Sequence, residues 1–123
     1  MSLAKSKKLV DLLLAKTQKG EIDWQEGFGA SFQVSFRDNT VQLNWLEGRT
    51  EGSPIITVFL LNGAGETVDR FSDEDLDKDE NGEVGGPWFA KLKDLYTSAL
   101  RHARGADKVL NAILDELEND ISF

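Results

Sequence analysis

Apolar residues recur along this chain with different spacings, and each spacing predicts one kind of element. In residues 3–18 they recur at about 100° per residue, which predicts a helix that Gly20 ends. The apolar arc of this helix spans roughly 200° of its circumference, which is wider than contact with one sheet requires. We therefore expect coverage on two sides, by another helix or by a second copy of the chain. The arc consists of Leu9, Val10, Leu12, Leu13 and Leu14.

The middle of the chain alternates apolar and polar residues, which predicts β-strands. Two neighbouring segments carry three alternating apolar residues each, and Asp38-Asn39 lies between them as a two-residue turn. With this turn, all six apolar side chains fall on one face of the hairpin. The predicted pairs are Phe36 with Val41, Val34 with Leu43 and Phe32 with Trp45.

Three further segments complete a predicted sheet. Residues 21–25 form a weaker strand that places Ile22 and Trp24 on one side. Residues 55–61 are apolar without a break, as is typical of a central strand or of one covered on both faces. A glycine-rich turn then leads into a strand over residues 66–71. The prediction is a five-stranded, mostly antiparallel β-meander.

Helical periodicity returns in the last third of the chain. Pro87 can occupy the first turn of a helix, Gly105 can end that helix, and Asp107 can cap the next one. The final helix has an apolar stripe of Val109, Leu110, Ile113, Leu114 and Leu117. We predict a single α+β domain over residues 1–123, with an N-terminal helix, the five-stranded meander and two C-terminal helices packed on one face of the sheet.

Part of this pattern resembles a known group of sequences. The run Leu92-Lys93-Asp94-Leu95-Tyr96, followed by Gly105, Asp107 and Leu110-Asn111-Ala112-Ile113-Leu114, is similar to the C-terminal helical pair of small uncharacterised bacterial α+β proteins. Gly20-Glu21-Ile22-Asp23-Trp24, after a leucine-rich helix, resembles the start of the same group. The resemblance implies the same order of helix, β-meander and helical pair, and it implies no activity and no site residues.

Composition narrows the classes of function. The formal net charge of −8 disfavours nucleic acid and anionic lipid as partners, and the absence of cysteine excludes disulfides and thiol chemistry. No apolar run reaches the roughly 18 residues of a membrane helix, and the N-terminus lacks the apolar stretch of a signal peptide. We therefore expect a cytoplasmic protein.

One acidic segment invites comparison with a calcium-binding loop. Asp77, Asp79, Asn81 and Glu83 stand at the first, third, fifth and seventh positions of an EF-hand loop, with a glycine at the sixth. Trp88 stands at the twelfth position, where such loops place a bidentate glutamate. Because that ligand is missing, the sequence favours a solvated acidic turn before a helix over an ion site. We expect no bound cofactor, with weak calcium binding by residues 77–83 as the alternative.

The sequence offers little for catalysis. His102 is the only histidine, and it lies between Arg101 and Arg104 near the end of a predicted helix, where a solvated basic cluster suits the helix dipole. Ser98 lies four residues before His102, but the sequence shows no third group that would orient the pair. We therefore expect no catalytic residues and no enzymatic activity, with a small enzyme that uses His102 as a minor alternative.

Surplus apolar surface suggests a different role. The first helix and the tail carry more apolar surface than a small sheet can cover: the wide arc of the helix and Ile121-Ser122-Phe123. A contact with another protein can bury such surface. We predict a non-catalytic protein-interaction module. Its partner is either another protein or a second copy of the chain, and the second case gives a homodimer. The candidate interaction residues are Leu9, Leu12, Ile121 and Phe123.

Overall fold

The computed structural model describes residues 3–47, 54–82 and 84–120, without the side chains of Asn81 and Asp120. The elements are α1 (Ala4–Gln18), β1 (Gln25–Glu26), β2 (Ser31–Phe36), β3 (Asn39–Leu46), β4 (Ile55–Leu61), β5 (Thr67–Ser72), α2 (Asp73–Asn81), α3 (Pro87–Ala103) and α4 (Ala106–Asp120). None of the described helices combines the length and the apolar character that a membrane span requires.

The strands form one open antiparallel sheet in the order β1-β2-β3-β4-β5. Each strand pairs with its neighbour in the chain, so the predicted α+β class and five-stranded meander are confirmed for the described residues. The strand over residues 55–61 lies inside the sheet, between β3 and β5, as its unbroken apolar run indicated.

The predicted register of the β2–β3 hairpin is wrong by two residues. The structure pairs Phe36 with Asn39, Val34 with Val41 and Phe32 with Leu43. The turn is therefore Arg37-Asp38, with Arg37 in the left-handed region at φ 60°. Because side chains alternate between faces with a period of two, a shift of two residues keeps every side chain on its predicted face.

One face of the sheet packs against α1 and α3 to form the core. Phe32, Leu43, Ile56 and Val58 of the sheet are fully or almost fully buried, together with Leu95 of α3. Ion pairs also join α1 to α3 and to α2. Lys91 Nζ of α3 lies 2.8 Å from Asp11 Oδ1 of α1, and Lys7 Nζ of α1 lies 3.0 Å from Asp79 Oδ2 of α2. Phe36 shares the core face but stays half-exposed at the end of its strand.

The predicted strand over residues 21–25 is displaced, since β1 covers only Gln25–Glu26. The two apolar residues that suggested it, Ile22 and Trp24, are nevertheless buried in the core. Trp24 Nε1 donates a 2.9 Å hydrogen bond to Thr17 Oγ1. This segment is therefore held by packing against the end of α1.

The sequence predicted an acidic loop where the structure has helix α2. Ser72 and Asp75 form a capping box at its start, and Gly82 ends it in the left-handed conformation at φ 77°. Three acidic residues lie in its first turn, where they interact favourably with the helix dipole. Only Leu76 gives this helix a buried apolar side chain, so hydrophobic periodicity carried almost no signal for it.

The two C-terminal helices pack differently. Helix α3 lies over the sheet and also contacts α1 and α2, whereas α4 makes its main contacts with α3. Every described side chain from Asp107 to Asn119 is exposed. The prediction that both helices pack on the sheet therefore holds for α3. Helix α4 packs on α3 instead, and its apolar side is uncovered within the described part of the protein.

Candidate interaction surface

The main exposed apolar surface of the described chain lies on α4. Five large aliphatic side chains of this helix are between 43% and 55% exposed. At 100° per residue they fall within an arc of about 140°, so they form one continuous stripe along the helix. We call this set the α4 stripe; it consists of Val109, Leu110, Ile113, Leu114 and Leu117.

Acidic residues flank the α4 stripe on both sides. By helical spacing, Asp107 and Glu118 lie along one margin and Glu116 lies along the other. Lys108 is the only basic residue of α4, and the same spacing places it on the opposite side of the helix. A partner that covers the stripe therefore meets negative charge on both margins.

The break between α3 and α4 occurs at Gly105. This residue has φ 68°, a conformation that other residues adopt only with strain. The amide of Gly105 donates to the carbonyl of His102, and the carbonyl of Gly105 accepts from the amide of Val109. The glycine thus ends one helix and starts the next, and it sends α4 away from the sheet.

A second exposed surface lies on α1 and is basic. Its residues recur at intervals of three and four, so they share one side of the helix, and Leu12, which is 50% exposed, lies at the centre. We call this set the α1 basic face; it consists of Lys5, Lys8, Leu12, Ala15, Lys16 and Lys19, all of them exposed. The lysine spacing was present in the sequence, but only the structure shows which side of α1 is covered.

Of the predicted interaction residues, Leu12 is exposed and Leu9 is not. Leu9 is partly buried against the core, where it lines an apolar cleft of about 350 Å³ with Phe36 and Leu60. Ile121 and Phe123 lie outside the described residues. Between the two described members of this set, Leu12 therefore has the exposed position that the interaction hypothesis expected.

The first predicted metal ligand, Asp77, caps helix α3. Its side chain is fully buried, and its two carboxylate oxygens accept hydrogen bonds from the amides of Gly86, Trp88 and Phe89 at 2.9, 2.9 and 3.1 Å. These amides lie at the start of α3, where no intrahelical acceptor is present. A Cβ on Gly86 would lie 2.9 Å from Asp77 Oδ1, so the close approach requires glycine.

Asp79 is the only other predicted ligand whose side chain the structure describes. Asp79 lies on the same helix but forms an ion pair with Lys7, and the side chain of Asn81 and the whole of Glu83 lie outside the described residues. In the part of the chain that the structure describes, no three acidic or histidine side chains cluster as a metal site requires. Calcium binding by residues 77–83 remains a prediction that only titration tests.

Asp73 is a second buried carboxylate, and the sequence did not predict its burial. It begins α2, is only 2% exposed, and accepts a 2.8 Å hydrogen bond from the amide of Ile56. Burial raises the pKa of Asp73 to about 6, although the bond from Ile56 acts in the opposite direction. No sequence pattern singles out this aspartate among its acidic neighbours, because its burial depends on the approach of β4.

His102 lies at the surface beside an acidic side chain. Its Nε2 atom is 2.9 Å from Asp23 Oδ1, and both residues are exposed. Ser98 and His102 line the same shallow cleft of about 330 Å³. The aspartate is the third group that the sequence did not reveal, yet no described hydrogen bond joins Ser98 to His102. The geometry is that of a surface ion pair next to a cleft.

Comparisons of the chain with protein-family models, with curated proteins and with solved structures gave no match. Function is therefore inferred from the exposed surfaces of the described chain.

Proposed function

We propose that this chain is a non-catalytic protein-interaction module and that the α4 stripe is its binding surface. The observation that carries the proposal is an amphipathic helix with five large aliphatic side chains about half-exposed. Contiguous exposed apolar surface on a small domain is characteristic of sites that bind other proteins.

The stability of α4 supports the same proposal. The helix has 15 residues and packs mainly against the end of α3. Isolated helices of that length are marginal in water, and most helices in proteins are stabilised by packing of their apolar side. A partner on the α4 stripe would supply that packing. Covering five half-exposed aliphatic side chains is worth about 5 kcal/mol before the costs of association.

Two groups that suggested chemistry, His102 and Asp77, have partners within the described part of the chain. The His102 imidazole is paired with Asp23 at the surface, and the Asp77 carboxylate is bonded to backbone amides. A cytoplasmic location remains part of the proposal, and cell fractionation tests it.

Crosslinking in an extract of the native cells tests the proposed function. The wild-type chain and an Ile113→Asp/Leu117→Asp variant are used as baits, and the retained proteins are quantified by mass spectrometry. We expect the wild type to retain at least one protein that the variant does not retain. A second copy of this chain counts as such a protein.

The matched control for this experiment is Phe28→Asp. Phe28 is 98% exposed in the loop between β1 and β2, so the substitution adds charge at an exposed apolar position outside α4. The control should retain the wild-type partners. If the α4 variant also retains every protein that the wild type retains, the proposed function is wrong.

A further inference from the structure

We propose that the partner of the α4 stripe is a second copy of this chain, and that α4 of each protomer lies on the α1 basic face of the other. This inference rests on the proposed function and specifies its partner.

Charge complementarity is the first argument. The α4 stripe is bordered by Asp107, Glu116 and Glu118, whereas four lysines surround Leu12 on the α1 basic face. Among these lysines, Lys16 has an ion pair with Glu21 at 3.6 Å, and both side chains are about half-exposed, so the pair is weak. Opposite charges along both margins would favour the contact and fix its orientation.

Shape and apolar contact agree with the charges. Both helices have 15 residues, and therefore both are about 22 Å long. Leu12 can insert among the aliphatic side chains of α4, and the methylene stems of the lysines can cover the rest of the stripe while the ammonium groups reach its acidic margins. The lysine-rich surface is thus compatible with an apolar partner.

The position of the two surfaces permits a closed dimer. Thr17 and Gln18 at the end of α1 line the same cleft as Ala106 and Asp107 at the start of α4. Because the end of α1 and the start of α4 lie close together at one end of the protomer, a two-fold axis near that end can place each α4 on the partner's α1. Such an isologous arrangement is the commonest form of protein dimer.

Pairing of α4 with α4 is less favourable. It would bring the acidic margins of two identical helices together, and like charges at close range are destabilising. It would also provide a single helix contact, whereas stable interfaces bury about 1,200 Å² or more in total. The reciprocal arrangement provides two contacts of opposite charge.

Charge reversal and its rescue test the inference. Sedimentation velocity over a wide concentration range measures the dimer dissociation constant of the wild type, of Lys8→Glu/Lys16→Glu, and of Glu116→Lys/Glu118→Lys. We expect a wild-type dimer, a dissociation constant raised about tenfold or more in each variant, and recovery to near the wild-type value when all four substitutions are combined. Circular dichroism verifies that each variant is folded.

The control for the rescue is Lys108→Glu, which reverses a charge on the side of α4 away from the stripe and should leave the dissociation constant unchanged. A wild-type chain that is monomeric at every concentration overturns the inference. So does a dimer that Ile113→Asp disrupts but the α1 variant does not affect, because that result indicates α4–α4 pairing. If the chain is monomeric and stripe-dependent capture from the extract persists, the inference fails while the proposed function stands.

Discussion

Helices α3 and α4 are consecutive, similar in length and similarly amphipathic, yet one is covered and the other is not. Trp88, Leu92 and Leu95 of α3 are buried beneath α1 and against the sheet, whereas the equivalent aliphatic residues of α4 remain about half-exposed. An apolar stripe therefore predicts that one side of a helix is buried by some contact. It does not determine whether the cover comes from the same chain.

The two helices also begin differently. Helix α3 starts with Pro87 and is capped from a distance by the buried carboxylate of Asp77. Helix α4 starts immediately after Gly105, and its first-turn acid, Asp107, is exposed and 3.8 Å from Arg101. Helix α3 is therefore fixed at its start and along its length, and α4 is fixed mainly at its connection to α3.

Truncation of one leucine in each helix gives the largest expected contrast. Leu95→Ala removes a fully buried side chain of α3, and we expect the free energy of unfolding to fall by about 4 kcal/mol. Leu114→Ala removes a side chain of α4 that is 43% exposed, and the loss should stay below about 1 kcal/mol at concentrations where the chain is monomeric. Urea unfolding measures both. Equal losses would mean that α4 is covered within the monomer.

Removal of one acidic side chain at each helix start sharpens the comparison; Asp77 caps α3, whereas Asp107 lies within the first turn of α4 and is not its cap, contrary to the prediction. Asp77→Ala leaves three amides of α3 without their acceptor, and we expect the free energy of unfolding to fall by about 3 kcal/mol. Asp107→Ala, at the exposed start of α4, should have a much smaller effect.

Calcium titration of the wild type and of Asp77→Ala separates the capping role from metal binding. The capping role predicts the same thermal unfolding midpoint for each protein with and without calcium. A calcium-dependent rise in the wild type alone would show that Asp77 also serves as a metal ligand.

A further expected effect concerns pH and the buried carboxyl of Asp73. Because the pKa of this group is about 6 in the folded chain and 3.8 in the unfolded reference, the folded state holds the proton more tightly. Its contribution to stability is complete below pH 4 and is lost as the pH rises through 6. We expect the free energy of unfolding to fall by about 2 to 3 kcal/mol over this range.

Asp73→Asn tests this dependence, because asparagine keeps an oxygen acceptor for Ile56 and does not ionise. The free energy of unfolding of the variant relative to the wild type should increase between pH 4 and pH 6. A difference that stays constant across this range would show that Asp73 has an ordinary pKa.

Much of the fold could be predicted from local patterns. The alternation in Phe32 and Val34 identified the core face of β2, and the unbroken run Ile55–Leu61 matched β4 residue for residue. The hairpin register failed because alternation fixes only which face a residue occupies. Helix α2 was missed because its signal is the capping box of Ser72 and Asp75, with Leu76 as its only buried apolar residue.

The candidate surface was predictable only in part. Both the α4 stripe and the lysine spacing of α1 can be read from the sequence, because helical periodicity places residues on a common side. Their exposure could not be predicted, since it depends on which neighbours reach each side. The same limit explains Asp77, whose acidic neighbours suggested a metal loop although its carboxylate caps a helix eleven residues away.

The sequence by itself determined which residues are apolar, how they repeat and where glycine and proline interrupt them, and these local properties specify helices, strands and their inward faces. Only the tertiary structure decided that α3 is covered, that α4 is exposed, and that Asp73 and Asp77 are buried. Those outcomes depend on contacts between residues distant in the chain. The physical reason is that periodicity is a property of neighbouring residues, whereas burial is a property of the whole packed molecule.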